Sequence, residues 1–105
     1  MTDPRRGEVW WGEAPDEKGR PYLVITRDQA TAVLRALLVA PVTRTVRGIP
    51  TEVVLGGAEG LLTDCVATVD NTLAFPKSML VRRLGALAPS RLPELCAAWR
   101  AAAEC

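Results

Sequence analysis

The 105-residue chain contains no histidine. That absence removes the commonest general base and the side chain that titrates near neutrality, so any reaction here runs without an imidazole. Cysteine is sparse: Cys65, Cys96 and Cys105 are odd in number, widely spaced and form no Cys-x-x-Cys pair. With no histidine to complete a ligand set, no metal site is expected. Cys65 and Cys96 read as small buried hydrophobes and Cys105 as a terminal thiol, and none has a partner base that would make it a nucleophile.

Long apolar runs are missing too. The one extended run, LRALLVAPV, carries Arg35 inside it and falls far short of the roughly 20 residues of a membrane-spanning helix. The opening MTDPRRGEVWW has neither an apolar signal core nor a small-residue cleavage site, so no membrane association and a cytoplasmic location are expected. Net charge is only +1, and a nucleic-acid partner would therefore need the basic residues gathered in one place. Lys18, Arg20, Arg44 and Arg47 lie in two short loop-like stretches, whereas the acids sit largely at Asp16, Glu17, Glu52, Glu59, Asp64 and Asp70.

What is present is a succession of short runs rich in Val, Leu, Ile, Thr and Trp, bounded by Gly, Pro or charged clusters. They predict strands over residues 7–13, 21–27, 34–42, 51–56, 64–70 and 79–87, a mainly β pattern without βαβ units. Ala14 to Gly19 and residues 43–50 read as solvent loops, and Asp28 as the N-cap of a short helical turn. After Pro89 and Ser90 the period changes: Leu92, Leu95, Cys96, Trp99 and Ala102 or Ala103 share one helical face. This predicts a C-terminal α-helix capped by Ser90, with Pro93 tolerated in its first turn and Trp99 packing inward. One domain over 1–105 is expected, a barrel of five to seven strands with that helix against it. The run from Leu34 to Val42 is apolar on both alternating faces, which calls for a further layer or a second subunit over it.

Four pieces stand in a specific order: RRGEVWW at 5–11, GRPYLVIT at 19–26, VAPVTRT at 39–45 followed by IPTEVVL at 49–55, and DCVATVDN at 64–71 followed by RRLGALAP at 82–89. In order and spacing they resemble the MazF/PemK toxins over essentially the whole chain. The resemblance implies an SH3-like twisted β-barrel of the MazF/PemK/CcdB kind with a C-terminal helix, paired as a homodimer. It implies a type II toxin–antitoxin endoribonuclease that cuts single-stranded RNA with no metal or other cofactor and is held in check by a cognate antitoxin protein. By matching position, Arg20 and Thr43 resemble the family's catalytic pair, and Asp70 and Asn71 the acidic and amide pair that contacts bases. The first loop is shorter than in many relatives, so no base preference carries over.

The residues support such chemistry. RNA supplies its own 2′-OH as nucleophile, so the protein need only hold the phosphate in line, neutralise the phosphorane and assist proton transfer. Arg20 offers a planar fork of N–H donors whose charge persists at every physiological pH, but its pKa makes it a poor base. Glu13 and Asp70 are the carboxylate candidates for that proton, and the sequence does not choose between them. Lys18, Arg44 and Arg47 would hold flanking phosphates, while Asp70 and Asn71 would read base edges.

Plainer readings stand beside these. Arg20, Arg44 and Arg47 also read as solvated loop charges, Thr43 as a turn residue, and Asp70 with Asn71 as caps of a helical turn starting at Thr72. Of the adjacent Trp10 and Trp11, one faces the core and the other outward, where packing competes with base stacking. The alternative functions are a gyrase-binding toxin of the CcdB type and a non-catalytic RNA- or peptide-binding barrel.

Overall fold

The computed structural model describes residues 3–103. Seven strands appear in chain order: β1 (Glu8–Gly12), β2 (Arg20–Val24), β3 (Ala36–Thr43), β4 (Glu52–Leu55), β5 (Cys65–Thr68), β6 (Leu73–Pro76) and β7 (Leu80–Ala86). A one-turn helix α1 (Asp28–Thr31) links β2 to β3, and α2 (Leu92–Ala103) closes the described chain. Every pairing is antiparallel, in the order β4-β5-β3-β2-β1-β7. The first half of β3 also pairs with β6, and its last residues pair with β5. One strand thus serves two ladders along the same edge, and the sheet curls into a half-barrel.

Alternation along the strands sends apolar side chains to both faces. Val9, Leu23, Ala40, Val42, Val53, Leu55 and Ala67 pack in one cluster with Leu95 and Ala98 of α2. Trp10, Tyr22, Val24, Leu37, Val39, Phe75 and Leu80 form the other. The two-faced apolar character of β3 is therefore largely satisfied within the chain, although Leu34 and Leu38 stay 43% and 40% exposed.

The two end strands are joined by glycines instead of a ladder. Gly60, at φ +87°, and Gly85 let the backbone after β4 lie directly on β7. A Cβ on Gly60 would run into the Leu84 carbonyl, and one on Gly85 into that of Glu59. Arg91, just before α2, donates to the Val54 carbonyl at 2.7 Å and to Glu59 at 3.2 Å. It thereby occupies part of the otherwise unpaired edge of β4 and fastens the helix to the same seam.

Several local expectations differ from the structure. Asp28 is the first residue of α1 and does not cap it; its carboxylate accepts the backbone N–H of Arg6 at 2.7 Å. Asp70 and Asn71 cap no helix at Thr72. They lie within a 3-10 turn, Val69–Asn71, and Thr72 leads into β6, which the sequence did not reveal. Four residues ending in proline carry little strand signal alone, and the register with Ala36 to Val39 makes the strand. Ser90 lies inside a 3-10 turn, Pro89–Arg91, ahead of α2. Trp99 does not pack inward: it is 39% exposed, while Leu95 and Ala98 face the core. Cys65 is buried, Cys96 is half-buried, and Cys105 lies outside the described residues. No helix among the described residues is long and apolar enough to cross a membrane.

Candidate nucleic-acid interface

Five neighbouring strands, β5-β3-β2-β1-β7, and one turn build a groove of about 540 Å³. Its floor follows the sheet register. Arg82 on β7 is paired with Trp11 on β1, and Trp11 with Pro21 on β2. Tyr22 is paired with Pro41, so continuing that ladder sets Pro21 beside Val42 and Arg20 beside Thr43. All of these except Tyr22 and Pro41 line the groove, with Arg44 at the β3 end and Gly60 to Thr63 as a wall.

Local sequence explains the positions. The Trp11 indole lies against Gly19, where any side chain would collide with it, so the first loop passes over the indole and delivers Arg20 to the start of β2. Thr43 ends β3, half-buried, and its Oγ1 accepts the Thr45 backbone N–H at 3.2 Å. That bond uses one lone pair of the oxygen and leaves the hydroxyl proton available to a ligand. Trp10, one residue from Trp11, points the other way into the second core and donates from Nε1 to Glu8 at 3.0 Å.

The charge in the groove has one sign. Arg20, Arg44 and Arg82 line it, all exposed, and among the described residues no carboxylate does. Arg83, adjacent to Arg82, faces away and donates from Nε to Glu8 at 2.7 Å. Burial acts to raise the Glu8 pKa, but hydrogen bonds from Trp10, Arg83 and the Arg5 backbone outweigh it, and the carboxyl titrates below its ordinary value. Burial raises the Tyr22 phenol, so this tyrosine stays neutral behind the groove.

Of the residues singled out from sequence, the structure brings Arg20, Thr43 and Arg44 together and leaves the others outside the groove. Lys18 and Glu13 are exposed in the first loop, where the Glu13 backbone N–H bonds Met79. Arg47 is exposed in the loop after β3, its backbone N–H held by the Glu52 carboxylate. Asp70 accepts the Thr51 hydroxyl at 2.6 Å and ties its turn to the start of β4, with Asn71 exposed beside it. Sequence reasoning missed Arg82 as a groove residue, the Leu61 to Thr63 wall and the place of Trp11. The first and last depend on strand register. The wall had one readable signal, Gly60 just ahead of the Leu61-Leu62 pair, of which the structure leaves Leu62 fully exposed. No three His, Cys, Asp or Glu residues cluster to hold a metal among the described residues.

Comparison with known proteins agrees with this architecture. The family profile described as PemK-like, MazF-like toxin of type II toxin-antitoxin system matches residues 5–102. The Mycobacterium tuberculosis protein called "Probable endoribonuclease MazF5" is 41% identical over 103 residues, covering 97% of this chain and 94% of that protein. Among solved structures, the Mycobacterium tuberculosis toxin MazF-mt6 superposes with a TM-score of 0.85 at 35% identity, over 92% of this chain and 96% of that one. An endoribonuclease from a mycobacterial species, solved in complex with its cognate antitoxin, superposes with a TM-score of 0.83 at 26% identity, over 96% and 95% of the two chains. With a profile match spanning nearly its whole length, the chain belongs to the PemK-like, MazF-like toxin family of type II toxin–antitoxin systems.

Proposed function

We propose that this toxin is an endoribonuclease that cuts single-stranded RNA without a metal ion, by attack of the 2′-OH on the adjacent phosphorus. The products are a 2′,3′-cyclic phosphate and a 5′-hydroxyl. One observation carries the reading: Arg20 and Thr43, from separate segments, line a single positively charged groove at adjacent ends of β2 and β3. Arg20 directs N–H donors at the non-bridging oxygens as charge builds on them, and the Thr43 hydroxyl holds the phosphate in line. Neither Glu13 nor Asp70 lines the groove, so neither is given the 2′-proton. Acceleration then comes from positioning and charge stabilisation: as the 2′-oxygen bonds to phosphorus and the P–O5′ bond breaks, water takes the 2′-proton and water returns one to the departing 5′-oxygen. Arg44 holds a flanking phosphate.

The relatives bearing the endoribonuclease name support this activity. The relative solved with its cognate antitoxin supports a protein antitoxin as regulator. A homodimer in the cytoplasm fits as the working form. Leu34, Leu38 and Trp99 leave an apolar hollow beside α2 that a second copy would cover. Incubating the protein with a long RNA in EDTA tests the activity. Fragments ending in cyclic phosphate are expected. Intact RNA overturns the proposal, and accompanying inhibition of DNA supercoiling would favour a gyrase-binding toxin instead.

A further inference from the structure

We propose that Arg82 is a further substrate-binding residue, gripping a backbone phosphate of the RNA on the β7 side of the groove, away from the scissile linkage. The inference rests on the ribonuclease reading above and adds the path of the strand: from Arg44 just past β3 and Thr43 at its end, past Arg20 on β2 and over Trp11 on β1, to Arg82 on β7.

Three observations carry it. Arg82 lines the same groove as Arg20 and Thr43. Its guanidinium has no hydrogen bond or ion pair among the described residues, whereas the neighbouring Arg83 is spent on Glu8 and Arg91 on Glu59, Glu94 and Val54. With no carboxylate lining the groove among the described residues, the acceptor for Arg82 has to come with the ligand. The position then separates its task from that of Arg20. Arg82 is paired with Trp11 while Arg20 is paired with Gly12, so the two arginines stand two strands apart with the Trp11 indole between. Two strand spacings put their backbones about 9–10 Å apart, and the Trp11 indole stands between the two side chains and keeps their forks from closing on one phosphate. Arg82 therefore takes another one and fixes how far the strand extends across the sheet before the cut.

The test uses the shortest RNA that the wild-type protein cuts, made uncleavable by a 2′-deoxy group at the scissile nucleotide. Its dissociation constant is measured against salt concentration for wild type, Arg82→Gln and Arg83→Gln. Arg82→Gln is expected to bind about tenfold more weakly and to lose about 0.7 from the logarithmic salt slope, the contribution of one phosphate on a single strand. Arg83→Gln removes the same charge one residue away and is expected to keep the wild-type slope. On the cleavable RNA, Arg82→Gln raises KM and leaves kcat near the wild-type value. Trimming the substrate from one end until Arg82→Gln and wild type bind alike identifies the phosphate. A wild-type slope and affinity in Arg82→Gln, or an equal loss in Arg83→Gln, overturns the role of Arg82 while leaving the ribonuclease reading intact. A wild-type protein that cuts no RNA overturns both.

Discussion

Arg20 and Thr43 stand two residues beyond the paired Tyr22 and Pro41 on adjacent antiparallel strands, and both line one groove. The residues are 23 positions apart in the chain, and the β2–β3 register brings them together. Tyr22 and Pro41 sit directly behind them, with Tyr22 buried against Phe75 at 4.6 Å between ring centroids. The pair is thus mounted on a packed part of the sheet, where side chains hold their geometry better than on a loop tip.

Replacing Arg20 tests the electrostatic half of the site. Arg20→Ala is expected to lower single-turnover cleavage by about 10²–10³, the usual cost of one well-aimed donor to a developing oxyanion. The side chain is exposed, so the thermal midpoint should stay within a degree or two of wild type, roughly the scale of a neutral surface change. Arg20→Lys keeps the charge and loses the planar fork, and it should recover only part of the rate. Full activity in Arg20→Ala would remove this residue from the mechanism.

Thr43 separates hydroxyl from shape. Thr43→Ser keeps both the acceptor for Thr45 and the proton, and should cut RNA at close to the wild-type rate. Thr43→Val keeps the volume and loses both, leaving the Thr45 N–H without its partner. A drop of about tenfold or more is expected, the scale of a lost hydrogen bond to a charged group. Equal rates in the serine and valine variants would count against the hydroxyl.

The pH dependence of the rate should be featureless where histidine would titrate. The chain has no imidazole, and among the described residues no carboxylate lines the groove. A profile of kcat/KM between pH 5.5 and 8 should show no side-chain inflection near about 6.5. An inflection there that survives changes of buffer and substrate would contradict the mechanism.

Stability has its own acid limb. The Glu8 carboxyl is held below its ordinary value because hydrogen bonds from Trp10, Arg83 and Arg5 outweigh the effect of burial. A depressed folded-state pKa gives stability that is fully present above the unfolded value of about 4.3 and is lost as pH falls through the folded value. Glu8→Gln should therefore melt earlier than wild type at pH 6, with the gap narrowing toward pH 3. A gap that stays constant over that range would show that protonation of Glu8 is not linked to folding.

The glycine seam should be intolerant. Gly60→Ala places a side chain at φ +87° and against the Leu84 carbonyl. The backbone strain alone costs about 1–3 kcal/mol, and the collision adds to it. Gly85→Ala meets the Glu59 carbonyl without the positive φ. Urea unfolding should show both to be destabilised, and neutrality in either would mean that the seam relaxes easily.

The β character, the terminal helix and the two loops were legible in the chain, and so were Arg20, Thr43 and Arg44 as candidates, which the structure gathers in one groove. Each rests on a local cue: period-two apolar runs, a period change after Pro89, Pro and Gly punctuation, and the motif order around GRPYLVIT and VAPVTRT. Absences were as informative, since a chain without histidine has no imidazole chemistry in any fold. The strand β6, the turn holding Asp70 and Asn71, the outward Trp99 and the placing of Arg82 beside Trp11 had no such cue. These depend on which strand lies next to which and in what register. A one-residue slip there moves every side chain to the opposite face. RRL at 82–84 reads as two equal charges, yet pairing with β1 sends Arg82 into the groove and Arg83 to Glu8. Residue chemistry belongs to the one-dimensional chain, but its direction belongs to hydrogen-bonded neighbours that are distant in sequence.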